Sequence, residues 1–264
     1  MDARHSIGVF DSGVGGLSVL REIRRALAHE DLLYIADSAH APYGDRSTEW
    51  IAARSLVLSE ALIARGAKAI VVACNTATGA AAAALRAAHA VPVIAIEPAI
   101  KPAVLATRTG IIGVLATRRT LASEKFAQLR ARFGSQVQIL EQACPGLMEC
   151  VEAGDFTSVA TRSLALQFIT PMIERGADVV ALGCTHYPFL LPLLRELAPT
   201  INFIDPAPAV AAEVRRRLEI AGLLSRETRP GIERFLTSGE VTRVGAVIER
   251  LWGSVCAIEA LPVS

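Results

Sequence analysis

The chain is poor in aromatic residues, at 5%, and its formal net charge is only +1. So small a charge does not favour a broad nucleic-acid surface. Clusters such as Arg215-Arg216-Arg217 read instead as the solvated face of a helix. Lysine is scarce: Lys68, Lys101 and Lys125 make up the whole set. None has the phosphate cradle that a pyridoxal Schiff base needs, so no such cofactor is expected. No apolar run is long and uniform enough to cross a bilayer. The opening segment MDARHSIGVFDSG has no apolar core of signal-peptide length. Five cysteines, an odd number without close pairing, do not make a secreted disulfide framework. The expectation is a cytoplasmic protein with reduced thiols and neither membrane nor nucleic-acid partners. Cys184 and His186 form a Cys-x-His pair, but two further ligands at zinc-site spacing are missing, so no metal is expected.

What is present is an aliphatic chain of 264 residues, 52% hydrophobic, long enough for one large domain or two medium ones. Short β-rich runs alternate with longer helical patterns. Strands are expected at Ile7–Phe10, Leu32–Ala36, Ala69–Ala73 and Val93–Ile96, then at Gly110–Leu115, Val137–Glu141, Val179–Leu182 and Asn202–Ile204. Helices are expected over Gly16–Ala28, Thr48–Arg65, Ala77–Ala88, Leu121–Phe133, Asp155–Arg175, Phe189–Leu197 and Ala209–Ala221, followed by weak strand signals. Apolar strands separated by helices predict parallel sheets covered on both faces, an α/β doubly wound class.

The sequence also repeats itself. RGAKAIVVACNTAT (Arg65 to Thr78) aligns without a gap on RGADVVALGCTHYP (Arg175 to Pro188), which sets Cys74 on Cys184. Ser6-Ile7-Gly8-Val9 resembles Ile111-Ile112-Gly113-Val114, and this places Ser12 opposite Thr117. Glu97-Pro98-Ala99 resembles Asp205-Pro206-Ala207. The expectation is two pseudo-symmetric α/β domains, 1–97 with 206–264 and 98–205, each a mostly parallel sheet flanked by helices. Ligands of such sheets bind beyond the carboxyl ends of the strands, so the active site is expected between the domains.

Cys74 and Cys184 each end a strand-like run and precede polar residues, which suggests one substrate gripped between two thiols. Cys144, Cys150 and Cys256 read as small buried apolar residues. Asp11-Ser12-Gly13-Val14-Gly15-Gly16 opens a helix after the first strand. Its glycines lack dinucleotide-fingerprint spacing, and a purely structural turn is the plainer alternative. Asp11 could take up or orient a proton beside a thiol. The loop from Ala36 to Asp45 could present the Tyr43 hydroxyl and the Gly44 N–H to a ligand, or be an ordinary surface loop. Asn75, Thr76 and Thr185 suit both helix capping and carboxylate binding. A helix start also favours a thiolate, which makes both cysteines candidates for that state. His186 could serve Cys184 as an acid/base helper or be a packed, hydrogen-bonded histidine.

FDSGVGGLSVL, ADSAHAPYGDRS, VVACNTAT and LGCTHYPFL together resemble the signature segments of the glutamate racemases, in the aspartate/glutamate racemase superfamily. The resemblance runs from Ile7 to about Asp205. It implies an isomerase without a cofactor that makes D-glutamate for peptidoglycan, hence for cell-wall biogenesis and cell shape. It implies Cys74 and Cys184 as the two catalytic acid/bases, assisted by Asp11, His186 and Glu152. Ser12, Pro42, Tyr43, Gly44, Asn75, Thr76, Thr117 and Thr185 would hold the substrate, together with Asp11 and His186. One stretch departs from the family pattern, Gly146 to Cys150, just before Glu152. The start of the chain lacks the extension of members regulated by a cell-wall precursor, so that regulation is not expected. A homodimer is admitted, with no residue that selects it.

Three other readings stay open on the residues alone. One is a racemase for aspartate or another small amino acid. Another is a relative that binds a metabolite and has lost the chemistry, against which the retention of both cysteines argues. The third is a thiol redox protein, which would need the two cysteines at Cα separations of roughly 4.4–6.8 Å.

Overall fold

The computed structural model describes residues 2–262. Among them are ten strands: β1 Ile7–Asp11, β2 Leu32–Ala36, β3 Ala69–Val72, β4 Val93–Ala95, β5 Ile111–Ala116, β6 Gln138–Ala143, β7 Val179–Gly183, β8 Asn202–Ile204, β9 Glu233–Thr237 and β10 Ile258–Ala260. They form a six-stranded sheet in the order β10-β9-β2-β1-β3-β4 and a four-stranded sheet in the order β6-β5-β7-β8. Every pairing is parallel. The chain divides into two compact units, Met1–Ile96 with Ala207–Ser264, and Glu97–Pro206. The α/β class read from the sequence is therefore the observed one.

Each unit repeats one winding. β1 lies between β2 and β3, and β5 lies between β6 and β7. The chain thus leaves its first strand in one direction and returns on the other side, which puts a topological switch point between first and third strands. The central strands are buried along their length, as parallel strands covered by helices must be. In the first unit Phe10, Ile35, Ile70 and Val72 pack with Leu58, Leu62 and Leu85 from helices Thr48–Ala64 and Asn75–Ala88. The alternate side chains Ile7, Val9, Tyr34 and Val71 are buried as well. In the second unit Ile112, Val114, Val179 and Ala181 pack with Phe126 and Phe133.

The repeated Arg-Gly-Ala has a structural reason. Gly66 and Gly176 each follow a helix and each sit at φ 84°, a left-handed conformation that favours glycine. The Ala67 N–H donates to Leu62 O and the Ala177 N–H to Met172 O, so both helices close with the same six-residue bonding pattern. The turn then delivers the chain into β3 or β7, and so to Cys74 or Cys184.

Boundaries moved where side chains capped helices. The helix expected from Ala77 begins at Asn75, because the Cys74 sulfur accepts the Ala77 N–H at 3.4 Å. The helix expected over Leu121–Phe133 is split into Arg118–Leu121 and Glu124–Phe133, with Ser123 capping the second. The helix expected from Asp155 begins at Val159, since Asp155 and Ser158 are used as a capping turn. Phe189–Leu197 is replaced by a 3-10 turn, Tyr187–Leu190, running into helix Leu191–Leu197. Helices Ile100–Ala106, Leu147–Glu152 and Val241–Trp252 lie outside the expected set, the last of them in the segment where only weak strand signals are read; those signals correspond to β9 and β10. Among the described residues no helix is long and apolar enough to cross a membrane.

Candidate active site

Asp11 is the last residue of β1, and Cys74 follows β3, its neighbour in the sheet. Asp11 is 0% exposed. Its Oδ1 accepts the Ser12 N–H at 2.6 Å and the Ser12 hydroxyl at 3.1 Å. The Cys74 thiol donates to Ser12 Oγ at 3.6 Å. A thiol, a hydroxyl and a carboxylate therefore lie in one line of contacts at the first unit's switch point. Cys74 also holds the N-cap position of helix Asn75–Ala88, where free N–H groups and the helix dipole favour negative charge on sulfur.

The sequence predicts that capping role for Asn75 and Thr76, but they are the first two helical residues and the sulfur is the cap. Asn75 is 5% exposed, and neither its Oδ1 nor its Nδ2 has a hydrogen-bond partner. The Thr78 hydroxyl, one turn further along, is likewise buried without a partner. Buried polar groups are nearly always bonded, so this amide beside a thiol has hydrogen-bonding capacity that a polar ligand could use.

Pro42, Tyr43 and Gly44 open a 3-10 turn, Tyr43–Asp45, with a cis Ala41–Pro42 peptide. The buried Tyr43 hydroxyl donates to Asp37 Oδ2 at 2.6 Å. Arg54 holds the same carboxylate with Nε at 2.9 Å and a terminal nitrogen at 2.6 Å, and His40 Nδ1 lies 3.0 Å from its other oxygen. Burial works against the Asp37 charge, but the bonds from Arg54 and Tyr43 hold its pKa below the usual carboxylate range. Burial, then the Asp37 charge, pushes the Tyr43 phenol up. The hydroxyl proton of Tyr43 is thus committed to Asp37, and what it can offer a ligand is an acceptor oxygen.

In the second unit Cys184 follows β7, the neighbour of β5, in the place that Cys74 holds in the first. His186 is 1% exposed and joins two partners. Its Nε2 donates to Glu152 Oε1 at 2.7 Å, and its Nδ1 lies 3.6 Å from the Cys184 sulfur. Burial alone would lower the histidine pKa. The hydrogen bonds and charges of Cys184 and Glu152 outweigh it and hold the pKa well above the ordinary value. A charged imidazolium between a sulfur and a carboxylate can stabilise a thiolate on one side while the carboxylate stabilises it on the other. Thr117 accepts the Thr120 N–H at 3.1 Å and caps Arg118–Leu121. Thr185 is buried next to Cys184.

Among the other cysteines, Cys144 is buried, and burial pushes its thiol up. Cys150 and Cys256 depart from the buried reading and are half-buried. Cys150 sits on the short helix Leu147–Glu152 and Cys256 in the segment before β10, both near the surface. Among the described residues no group of three or more His, Cys, Asp or Glu side chains is arranged to hold a metal ion. The unusual Gly146 has a role: at φ 89° it is the N-cap of helix Leu147–Glu152, which carries Glu152 to His186.

Asp37, Arg54 and Thr78 lie outside the site residues expected from the sequence. Arg54 lies 17 residues from Asp37 on another element, so no local spacing joins them. Thr78 carries a readable signal, since i and i+3 share a helix face with Asn75.

A family model described as Asp/Glu/Hydantoin racemase matches residues 7–214. The glutamate racemase of Methylococcus capsulatus is 52% identical over 259 residues, covering 98% of this chain and 96% of that one. Among solved structures, a glutamate racemase isoform from Bacillus anthracis is similar with a TM-score of 0.89 at 34% identity, covering 98% of both chains. The Escherichia coli glutamate racemase, in complex with L-glutamate and the activator UDP-MurNAc-ala, is similar with a TM-score of 0.86 at 31% identity over 99% of both chains.

Proposed function

The chain belongs to the Asp/Glu/Hydantoin racemase family, and from that premise we propose that it interconverts L- and D-glutamate by moving one proton between two thiols. The observation that carries the proposal is the paired placement of Cys74 and Cys184. Each follows the third strand of its own parallel sheet, beside a first strand, and each has a proton-binding partner within reach.

Racemisation removes the α-proton from one face of the substrate and returns a proton to the other. One thiolate takes the proton from carbon while the thiol opposite gives its own, so the two sulfurs exchange states with each turnover. The reverse direction exchanges their roles, which is why two groups of the same chemistry suit the reaction. Asp11 assists Cys74, and His186 with Glu152 assists Cys184. Ser12, Pro42, Tyr43, Gly44, Asn75, Thr76, Thr117 and Thr185 hold the substrate. The unpaired Asn75 amide supports this reading, because a carboxylate would satisfy its N–H donors. Excluding water would strengthen each of these contacts.

The reaction so written uses the chain's own acids and bases and asks for no cofactor. Lys68 is bound to Glu30 at 2.5 Å in a buried pair, an environment that does not suit it to a Schiff base. The D-glutamate would supply peptidoglycan synthesis in the cytoplasm, and so cell-wall biogenesis and cell shape. The test is incubation of pure protein with L-glutamate in D2O. D-glutamate carrying deuterium at the α-carbon is expected, unaffected by chelator or added pyridoxal phosphate. Exchange with aspartate but not glutamate would move the assignment to an aspartate racemase, and no exchange in Cys74→Ser or Cys184→Ser is the matching control.

A further inference from the structure

Both half-sites share an arrangement that the sequence does not announce. On the Cys184 side the imidazole of His186 stands between sulfur and carboxylate, 3.6 Å from Cys184 and 2.7 Å from Glu152. On the Cys74 side the Ser12 hydroxyl takes that middle place, 3.6 Å from Cys74 and 3.1 Å from Asp11. The direction of the bonds is set by chemistry. A carboxylate only accepts, so Ser12 donates its proton to Asp11 and its oxygen is left to accept the thiol S–H.

We propose that Ser12 relays a proton between Cys74 and Asp11, and so is a catalytic residue rather than only a substrate contact. The inference rests on the two-thiol reading above and specifies how its first half works. When Cys74 must act as base, its S–H proton passes to Ser12 Oγ while the Ser12 hydroxyl proton passes to Asp11 Oδ1. The S–H and Ser O–H bonds break, new Ser O–H and Asp O–H bonds form, and no electrons are exchanged. The products are a thiolate, an unchanged serine and a neutral carboxylic acid. Asp11 is fully buried, so the carboxyl group that takes up the proton is shielded from solvent. The return transfer restores the thiol. Asp11 and Ser12 are also joined through the Ser12 N–H at 2.6 Å, so the relay is held by the backbone at the end of β1 and needs little reorganisation.

A serine that merely touched substrate would act independently of Asp11. A relay makes the two act as a unit, and units are strongly non-additive. The test uses Asp11→Asn, Ser12→Ala, the double variant and Ser12→Thr, which keeps a hydroxyl. The pH profile of Cys74 alkylation by iodoacetamide is followed by mass spectrometry of its peptide, and kcat and KM are measured in both directions. Asp11→Asn is expected to move the Cys74 profile to lower pH wherever the hydroxyl is kept, in the unaltered Ser12 background and in Ser12→Thr, since the hydroxyl proton is freed to stabilise the thiolate. It is expected to move it far less in the Ser12→Ala background. In turnover, Asp11→Asn is expected to lower kcat by different factors in the two directions, Ser12→Ala should lower it in the same unequal way, and the double variant should be no slower than the worse single one. An Asp11→Asn shift of equal size with and without the hydroxyl would show action through space and overturn the relay. So would a Ser12→Ala effect confined to KM and multiplying with that of Asp11→Asn. If the unaltered protein racemises nothing, the racemase reading fails while the alkylation profiles still decide whether Ser12 couples the two groups.

Discussion

Replacing His186 by Asn removes the charged donor beside the Cys184 sulfur while keeping a side chain of related size. The Nδ1 to sulfur contact of 3.6 Å and the Nε2 to Glu152 bond of 2.7 Å are both lost as an imidazolium bridge. His186 is 1% exposed, so solvent does not screen the loss. Hydrogen bonds to charged groups contribute about 1.5–3 kcal/mol. If that stabilisation belongs to the step in which Cys184 carries negative charge, kcat falls by about 10- to 150-fold in the direction that uses Cys184 as base. The other direction, which starts from a Cys184 thiol, should lose less in kcat. Enantiomers have an equilibrium constant of one, so kcat/KM must fall equally in both directions and KM must absorb the difference. The assay is initial-rate circular dichroism with L- and with D-glutamate, fitted for kcat and KM separately. A kcat loss of the same factor in both directions would refute the one-sided role of His186.

Three further outcomes are expected. In Glu152→Gln the pKa of His186, held up by Cys184 and Glu152, should fall. A raised histidine pKa stabilises the fold fully below the unfolded value of about 6.5 and loses that contribution as pH rises through the folded value. The thermal stability gap between the unaltered chain and Glu152→Gln should therefore be widest in mildly acidic solution and close toward alkaline pH; a gap that widens with pH would contradict the charged bridge. Asn75→Ala removes a buried amide with no partner in the free protein, so melting temperature should hold or rise while KM for glutamate increases about tenfold or more, the loss of one hydrogen bond to a charged group; a destabilised variant with unchanged KM would mean the amide serves the fold. Gly176→Ala places a Cβ at φ 84°, where its nearest neighbour is Ile111 Cδ1 at 3.5 Å, so the cost is backbone strain of about 1–2 kcal/mol without a clash. Urea titration should show that loss, and an unshifted midpoint would show that the helix ends some other way.

The strand ends were legible because the signals there are local. An apolar run stops, a polar residue follows, and the next helix begins. The same runs appear twice, so Cys74 and Cys184 could be matched before any contact was known. Gly66 and Gly176 were visible as repeats, though their left-handed φ explains why the repeat exists. The helix cap falls on Cys74; the sequence rule points to Asn75 or Thr76 instead, because it favours oxygen and sulfur is an uncommon cap. The sequence offers the Tyr43 hydroxyl to a ligand, and the bond to Asp37 commits its proton, which leaves the oxygen as an acceptor.

Periodicity and turn chemistry act over a few residues, so the sequence by itself determined the parallel α/β class, the place of both thiols at strand ends and the polar turns around them. Hydrogen bonds between side chains on different elements have no such range limit. Glu152 meets His186 across 34 residues, Cys74 meets Ser12 across 62, and Arg54 reaches Asp37 from a separate helix. Only the tertiary structure decided that the imidazole beside Cys184 is backed by the Glu152 carboxylate, and that the neighbour of Cys74 is the Ser12 hydroxyl. The reason is that packing of β1 against β3, and of helix Leu147–Glu152 against the 3-10 turn Tyr187–Leu190, chooses partners that no spacing along the chain encodes.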